Sequence, residues 1–132
     1  MQEPIAAKAR VLVADDNRTT AFAFGKLLES HGHTVRVVLN GLAAMDVLRE
    51  FQPQIVLLDV GMPGMDGCEV TQQIRKESGF ESVLIVIISG HGQESDKERS
   101  KQAGANHHLV KPIHFDELWE ILAKATERGS EK

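Results

Sequence analysis

Reactive polar residues follow four separate, mostly apolar runs in this chain. The first run, residues 11–14, leads into Asp15 and Asp16, and the second, 55–58, leads into Asp59. The third run, 83–88, leads into Ser89, and the fourth, 106–110, leads into Lys111. If these runs are parallel strands of one sheet, their polar residues meet at one edge, where open α/β sheets bind ligands. The pattern therefore predicts three carboxylates, a hydroxyl and an ammonium in one site.

This set of groups is suited to phosphoryl transfer. Asp15, Asp16 and Asp59 offer hard oxygen ligands, and carboxylates crowded together raise one another's pKa unless a cation offsets the charge. All-oxygen ligation with few protein ligands suits Mg²⁺, which usually shares its shell with a phosphate. Lys111 adds a second positive charge and Ser89 a hydrogen-bond donor for the oxygens of a transferred group.

Asp59 is the best candidate for the nucleophile. It stands alone at its strand end, whereas Asp15 and Asp16 arrive as a pair, and carboxylates do form phosphoaspartyl intermediates. A single aspartate after an apolar run is more often a helix or turn cap. That alternative weakens when four strand ends carry compatible groups.

The elements that must position these residues alternate along the chain. With 132 residues the chain suits one domain, and apolar runs that alternate with helical patterns predict βαβ units and a parallel sheet. We expect residues 1–9 to be a leader or linker and 128–132 a tail. The predicted strands are 10–14, 34–39, 54–59, 82–88 and 106–110, and the predicted helices are 18–30, 41–51, one that opens at 66, 93–102 and 114–127.

Local signals set several helix ends and single out one weak helix. Asn17 is the expected N-cap of the first helix, and Asp66 with Glu69 resembles a capping box. The segment 93–102 contains no apolar residue, so its helix must rely on Ala103 and its flanking loops for packing. We predict that it is the least stable helix and the easiest to move; a solvated face of a static helix is the alternative.

Composition excludes some functions. The net charge of −4 and the lack of a Lys/Arg stripe argue against a nucleic-acid partner. The longest apolar run is too short to span a bilayer, and the N-terminal residues lack a signal-peptide pattern. The single cysteine, Cys68, favours a reducing compartment. A cytoplasmic domain without membrane contact is therefore expected.

Four segments together resemble the response-regulator receiver domain of bacterial two-component signalling, from residue 10 to about 127. They are LVADDN at 12–17, LLDVGMPGMDG at 57–67, ISG at 88–90 and VKP at 110–112. The resemblance implies a flavodoxin-like, doubly wound α/β fold, with five parallel strands in the order 2-1-3-4-5 and five helices.

The resemblance also implies a role for each acidic position. Asp59 would accept a phosphoryl group from the phosphohistidine of a histidine kinase or a histidine phosphotransfer domain. Asp16 and Asp59 would ligate Mg²⁺ directly, Asp15 would act mainly through water, and the backbone carbonyl of Gly61 would complete the protein ligands. The domain would catalyse only its own phosphorylation and a slow autodephosphorylation.

Ser89 and Lys111 would bind the phosphoryl oxygens, and the Lys111–Pro112 peptide bond would be cis. Phosphorylation would shift the surface formed by helix 4, strand 5 and helix 5, and so control a partner protein or an output domain. The switch position, usually Tyr or Phe in this family, is His108, which is smaller and titratable. Gly61 has no side chain to cover the site, a role that His91 could take in part.

Two other functions use related parts. A phosphatase of the haloacid-dehalogenase type would place a second aspartate two residues after the nucleophile, where this chain has Gly61. A flavodoxin-like cofactor binder would need a phosphate-cradling loop after the first strand, where this chain has Asp15 and Asp16. The first would turn over a phosphomonoester many times, and the second would be coloured when purified.

Overall fold

The computed structural model describes the backbone of residues 8–62, 64–90 and 94–130, and the side chains of 8–62, 64–90 and 97–125. The strands are β1 (Arg10–Ala14), β2 (Thr34–Val38), β3 (Ile55–Asp59), β4 (Leu84–Ser89) and β5 (His107–Val110). The helices are α1 (Arg18–Ser30), α2 (Gly41–Phe51), α3 (Gly67–Lys76), α4 (Glu94–Ala103) and α5 (Phe115–Ser130).

The five strands form one parallel sheet in the order β2-β1-β3-β4-β5, which confirms the predicted fold class and strand order. The pairing register aligns the strand ends: Ala14 lies beside Leu58, Asp59 beside Ile88, and Ser89 beside Val110. The polar residues at the ends of β3 and β4, and those that follow β1 and β5, therefore lie at the same edge.

Two apolar cores cover the two faces of the sheet. Every residue of β3 is buried, because successive side chains point to opposite faces and both faces are covered. Val56 and Leu58 pack in a cluster with α2, α3 and Ala103 of α4. Ile55 and Leu57 pack in a second cluster with α1 and α5. A strand enclosed in this way holds Asp59 at a fixed place.

Side-chain caps begin three of the helices. Asn17 Oδ1 accepts from the backbone N–H of Thr20 at 3.0 Å, and Asn40 Oδ1 accepts from that of Ala43 at 2.8 Å. Asp66 and Glu69 form the predicted capping box, in which each side chain accepts from the other's backbone N–H. These caps satisfy N–H groups that lack a partner within the helix, so the helix starts could be predicted from residue type.

Several predicted bounds were wrong by a few residues. Helix α5 runs on to Ser130, so residues 128–130, which we expected in the tail, are helical; Gly129 weakens a helix without ending it. Strand β5 begins at His107, one residue later than predicted, although the backbone N–H of Asn106 donates to the carbonyl of Ile85 at 2.8 Å. Strands β2, β3 and β4 differ from their predicted bounds by one or two residues.

Both polar and apolar contacts attach the described part of helix α4. Among its described side chains, Ser100 and Ala103 are buried and the others are exposed. Arg99 bonds to Asp66 at the start of α3 (3.2 Å), and the Ser100 hydroxyl lies 2.7 Å from Nδ1 of His108. The role predicted for Ala103 is confirmed, while the low stability of this helix stays a prediction.

In the described part of the chain, none of the helices combines the length and the apolarity that a membrane span requires.

A buried histidine gives the fold a predicted pH dependence. The side chain of His33 is buried, and its Nδ1 accepts from the backbone N–H of Ala9 at 3.1 Å. Burial, with a smaller contribution from His31, lowers the pKa of His33 below its ordinary value of 6.5. A proton on Nδ1 would also remove the bond from Ala9.

We expect the free energy of unfolding to fall as the pH falls below about 6.5. As the pH falls, the unfolded chain binds a proton at His33 before the folded protein does, so acid favours the unfolded state. Well above pH 6.5 His33 is neutral in both states, and its contribution to the free energy of unfolding no longer changes with pH. Urea unfolding at a series of pH values measures the slope. His33→Asn should flatten it, whereas His114→Asn, at an exposed position, should leave it unchanged. An equal slope in the His33 variant would contradict the assignment.

Candidate functional site

Three carboxylates meet at the carboxyl edge of the sheet. Oxygens of Asp15, Asp16 and Asp59 all lie within 4.8 Å of one another. Asp15 and Asp59 are buried, and Asp16 is exposed. Oxygens on opposite sides of one Mg²⁺ ion lie about 4 Å apart. The spacing of the cluster therefore fits the oxygens around one small hard cation.

Among the described residues, the three carboxylates of the cluster meet one ammonium, that of Lys111. Burial, and then the neighbouring carboxylate of Asp15, raise the pKa of Asp59. Lys111 Nζ lies 3.4 Å from Asp59 Oδ1, and the N–H of Gly61 donates to the same carboxylate. Both lower the pKa of Asp59, but the two opposing effects are larger. A further positive charge at this place would stabilise the ionised form.

Backbone contacts fix the carboxylates. The N–H of Asn17 donates to Asp15 Oδ1 at 2.9 Å, and the N–H of Val60 donates to the carbonyl of Ile88 at 2.9 Å. Gly67 approaches Asp59 so closely that a Cβ there would lie 2.9 Å from the Asp59 carbonyl oxygen. The β3–α3 connection therefore needs glycine at this position to hold Asp59 in place.

Gly61 leaves space beside Asp59. A Cβ built at Gly61 would lie 3.8 Å from Asp59 Oδ2 and would meet no closer atom of the described residues. Asp59, Asp15 and Lys111 also line a cavity of about 20 Å³ together with apolar side chains such as Leu57 and Phe24. A cavity of this size has room for about one water-sized group. His91, which the sequence suggested as a cover, lies outside the described residues.

The ends of β4 and β5 bring in Ser89 and Lys111. The N–H of Lys111 donates to the carbonyl of Ser89 at 2.8 Å, which ties the two strand ends together. The Lys111–Pro112 peptide bond is cis. The hydroxyl of Ser89 is buried and lies 2.9 Å from Nε2 of His108. The three carboxylates, Ser89 and Lys111 thus lie at the edge of the sheet where the strand ends predicted them.

Comparison with known proteins decides the family. The sequence model of the response regulator receiver domain matches residues 11–123. This chain belongs to the response regulator receiver domain family. Receiver domains are phosphoacceptor signalling switches.

Relatives of this receiver domain occur both alone and inside larger proteins. Protein PilH of Pseudomonas aeruginosa is 34% identical over 114 residues, which cover 86% of this chain and 94% of that protein. The sensor protein GacS of Pseudomonas syringae is 35% identical over 127 residues, which cover 93% of this chain but 14% of that protein. Receiver domains interact with histidine kinases and phosphotransfer proteins.

A solved structure supports a divalent metal in the acidic cluster. It is the receiver domain of a sensor histidine kinase from Pseudomonas aeruginosa with a magnesium ion coordinated in its active site cleft. The two chains are 28% identical, with a TM-score of 0.82 over 91% of this chain and 98% of the other. Together with the spacing of Asp15, Asp16 and Asp59, this likeness points to a divalent metal site in this receiver domain.

The sequence missed one residue near the site, Ser100. It is buried, and its hydroxyl reaches the ring of His108 from helix α4. The only sequence signal is a small polar residue three positions before Ala103, on the face that packs inward. That signal is weak, because serine is equally common on solvated faces.

Proposed function

We propose that this receiver domain is a switch that accepts a phosphoryl group on Asp59, with Mg²⁺, from the phosphohistidine of a histidine kinase or a histidine phosphotransfer domain. The observation that supports it best is the joint geometry of Asp59. Its carboxylate lies 3.4 Å from the Lys111 ammonium and within 4.8 Å of two more carboxylates. The site therefore combines a nucleophile, a cationic side chain and several oxygens that can bind a metal.

The chemical step needs little from the protein beyond placement. An oxygen of Asp59 forms a bond to phosphorus in line with the leaving imidazole nitrogen, whose bond to phosphorus breaks and which keeps the electron pair. Lys111 Nζ and the Ser89 hydroxyl donate hydrogen bonds to the phosphoryl oxygens. A bound Mg²⁺ supplies positive charge to the oxygens of the transferred group. Asp16 and Asp59 would bind it directly, Asp15 through water, and Gly61 through its carbonyl.

The domain acts on itself rather than as a turnover enzyme. Hydrolysis of the phosphoaspartate needs a water molecule and a group to take its proton, and Gly61 leaves the second position after Asp59 without such a group. Slow autodephosphorylation follows. This argument favours the switch over a phosphatase of the haloacid-dehalogenase type, while the carboxylates after β1 argue against a flavodoxin-like cofactor binder.

The proposed output surface consists of α4, β5 and α5. Ser89 and Lys111 lie at the ends of β4 and β5, and α4 contacts β5 through Ser100 and His108, so a change at the site reaches this surface by a short route. A partner protein or an output domain would bind there. We place the protein in the cytoplasm, where histidine kinases present their phosphohistidines, with no direct contact to nucleic acid or membrane.

Phosphate uptake tests the proposal. Incubated with acetyl phosphate and Mg²⁺, the protein should incorporate up to one equivalent of acid-labile phosphate. After the aspartyl phosphate is trapped by borohydride reduction, peptide mapping should locate it at Asp59. The same incubation with excess EDTA is the control and should give no label.

Two results would contradict this proposal. Label located on a residue other than Asp59 would show that the acceptor is wrong. Sustained hydrolysis of a phosphomonoester, well beyond one equivalent per chain, would show that the chain is a phosphatase.

Mg²⁺ should stabilise the folded protein measurably. A ligand that binds the folded state alone raises the free energy of unfolding by RT ln(1 + [L]/Kd), which is about 2.7 kcal/mol at a hundredfold excess over Kd. Thermal unfolding with increasing Mg²⁺ measures this rise. Asp16→Asn should remove most of it, and Asp46→Asn, which alters an exposed carboxylate on α2, should not. An Asp16 variant that keeps the full rise would place the metal elsewhere.

A further inference from the structure

One imidazole joins the phosphoacceptor site to helix α4. His108 on β5 lies between two buried hydroxyls: its Nε2 is 2.9 Å from Ser89 Oγ, and its Nδ1 is 2.7 Å from Ser100 Oγ. Both serines are only 1% exposed. The three side chains therefore form a continuous hydrogen-bonded relay from the end of β4 to the inner face of α4.

The relay can run in either of two directions. A neutral imidazole has one N–H donor and one acceptor nitrogen, and a hydroxyl has one proton to donate. If Nδ1 carries the ring proton, it donates to Ser100 and Nε2 accepts from Ser89. If Nε2 carries the proton, it donates to Ser89 and Nδ1 accepts from Ser100. The direction at one end thus fixes the direction at the other.

The position of Ser100 favours the first direction at rest. A serine within a helix commonly donates to the carbonyl four residues earlier, as Thr71 does here to the carbonyl of Gly67 in α3 (2.8 Å). A hydroxyl used in that way can only accept from the ring. With Ser100 donating to the carbonyl four residues earlier, Nδ1 of His108 would carry the ring proton and Ser89 would donate to Nε2.

A phosphoryl group on Asp59 requires the second direction. The proposed function assigns the single proton of Ser89 to a phosphoryl oxygen, so Ser89 can then only accept from His108. Nε2 must carry the ring proton, Nδ1 becomes an acceptor, and Ser100 must turn its own proton towards the ring. The ring proton moves from Nδ1 to Nε2 by exchange with water, and each group keeps its number of protons.

We propose that loading of Asp59 reverses the direction of the Ser89–His108–Ser100 relay and thereby changes the hydrogen bonding of Ser100 within α4. His108 and Ser100 are positioning residues, since they act on the phosphoryl group through Ser89. This inference rests on the proposed function and adds to it a route by which the site reaches α4. The helix is suited to respond, because Ser100 and Ala103 are the buried side chains among those described for it.

Nitrogen NMR of the ring tests the reversal directly. In protein labelled with ¹⁵N at histidine, the two nitrogens of a neutral ring give distinct signals according to which one carries the proton. Addition of beryllofluoride with Mg²⁺, a stable mimic of the phosphoryl group, should move the proton of His108 from Nδ1 to Nε2. His107, the exposed neighbour on β5, is the internal control and should not change its tautomer.

Hydrogen exchange of α4 tests the consequence. In the wild-type protein, beryllofluoride should alter the exchange of backbone amides in α4. Ser100→Ala, which removes the last hydroxyl of the relay, should abolish this response, and Ser100→Thr, which keeps a hydroxyl, should restore it. Ser30→Ala, at an exposed position of α1, should respond like the wild type.

The outcomes separate this inference from the proposed function. One outcome would overturn the relay and leave the proposed function intact: ¹⁹F NMR shows that beryllofluoride binds, but His108 keeps its proton on the same nitrogen. An α4 response in Ser100→Ala as large as in the wild type would do the same. A protein that neither binds beryllofluoride nor incorporates phosphate would overturn both.

Discussion

Asp59→Asn is expected to abolish the incorporation of acid-labile phosphate and, in the absence of divalent cations, to raise the free energy of unfolding. The first effect follows because an amide oxygen cannot serve as the attacking carboxylate. The second follows because burial and the charge of Asp15 raise the pKa of Asp59, so the ionised carboxylate costs stability at neutral pH. An uncharged amide of the same shape removes that cost.

The two effects are measured on the same samples. Phosphate incorporation from acetyl phosphate gives the first, and urea unfolding in EDTA gives the second. Asp46→Asn is the matched control, since it removes one exposed carboxylate of equal charge, and we expect both quantities to stay at their wild-type values. Undiminished label in the Asp59 variant would show that another residue is the acceptor. A lower stability of this variant without metal would show that the Lys111 contact outweighs the crowding of the carboxylates.

The meeting of the three carboxylates, Ser89 and Lys111 at one edge could be predicted, because it depends only on where the strands end. A run such as 55–58 is too apolar to lie anywhere but in a covered strand, and parallel strands of similar length end at the same edge. The pairing of Asp59 with Ile88 and of Ser89 with Val110 confirms that reasoning. The helix caps at Asn17 and Asp66 could also be predicted, because each side chain accepts from a backbone N–H only three residues later.

The polar attachments of α4 could not be predicted, because they join residues from different elements. Nothing in the sequence around Ser100 indicates that its hydroxyl meets His108, and nothing near Asp66 indicates that it meets Arg99 across 33 positions. Sequence patterns report which face of an element is apolar. They do not report which polar group on the next element lies opposite, and that pairing decides how α4 is held.

The contacts of Trp119 illustrate the same limit. The apolar spacing in α5 places Trp119 on the side that faces the core, and the side chain does pack partly against the second core cluster. Its indole also stacks on the imidazole of His31 at the end of α1, with ring centroids 4.0 Å apart. This contact joins the first and last helices, and Trp119 fluorescence will therefore report on the α1–α5 contact more directly than on Asp59.

Arg75 has the largest expected effect on stability outside the apolar core. Its guanidinium group, which extends from α3, donates to the carbonyl of Gly104 at 3.0 Å and to Asn106 Oδ1 at 2.9 Å. It also donates to three carbonyls in the loop before β4, those of Phe80, Glu81 and Val83, at 2.9–3.2 Å. One side chain thus fixes both chain segments that lead into β4 and β5.

We expect Arg75→Ala to lower the free energy of unfolding by about 3 kcal/mol. Hydrogen bonds from a charged donor contribute about 1.5–3 kcal/mol each, and several are lost together, although water can replace those at the more exposed carbonyls. Arg75→Lys should recover less than half of the loss, because an ammonium has three donors from one atom and cannot span acceptors that the planar fork reaches. Urea unfolding measures all of these variants.

Arg49→Ala is the control for Arg75. Arg49 also bonds through its guanidinium, to Glu77 at 2.9 Å, but it lies on the surface, and we expect no measurable change in its urea midpoint. Because β4 ends at Ser89 and β5 ends one residue before Lys111, loosened starts of these strands could also disturb the site. We expect instead that phosphate uptake per folded molecule of Arg75→Ala stays at the wild-type level, since the ladder between the strands fixes their ends independently. A wild-type midpoint for Arg75→Ala, or full recovery by lysine, would refute the role of the guanidinium fork.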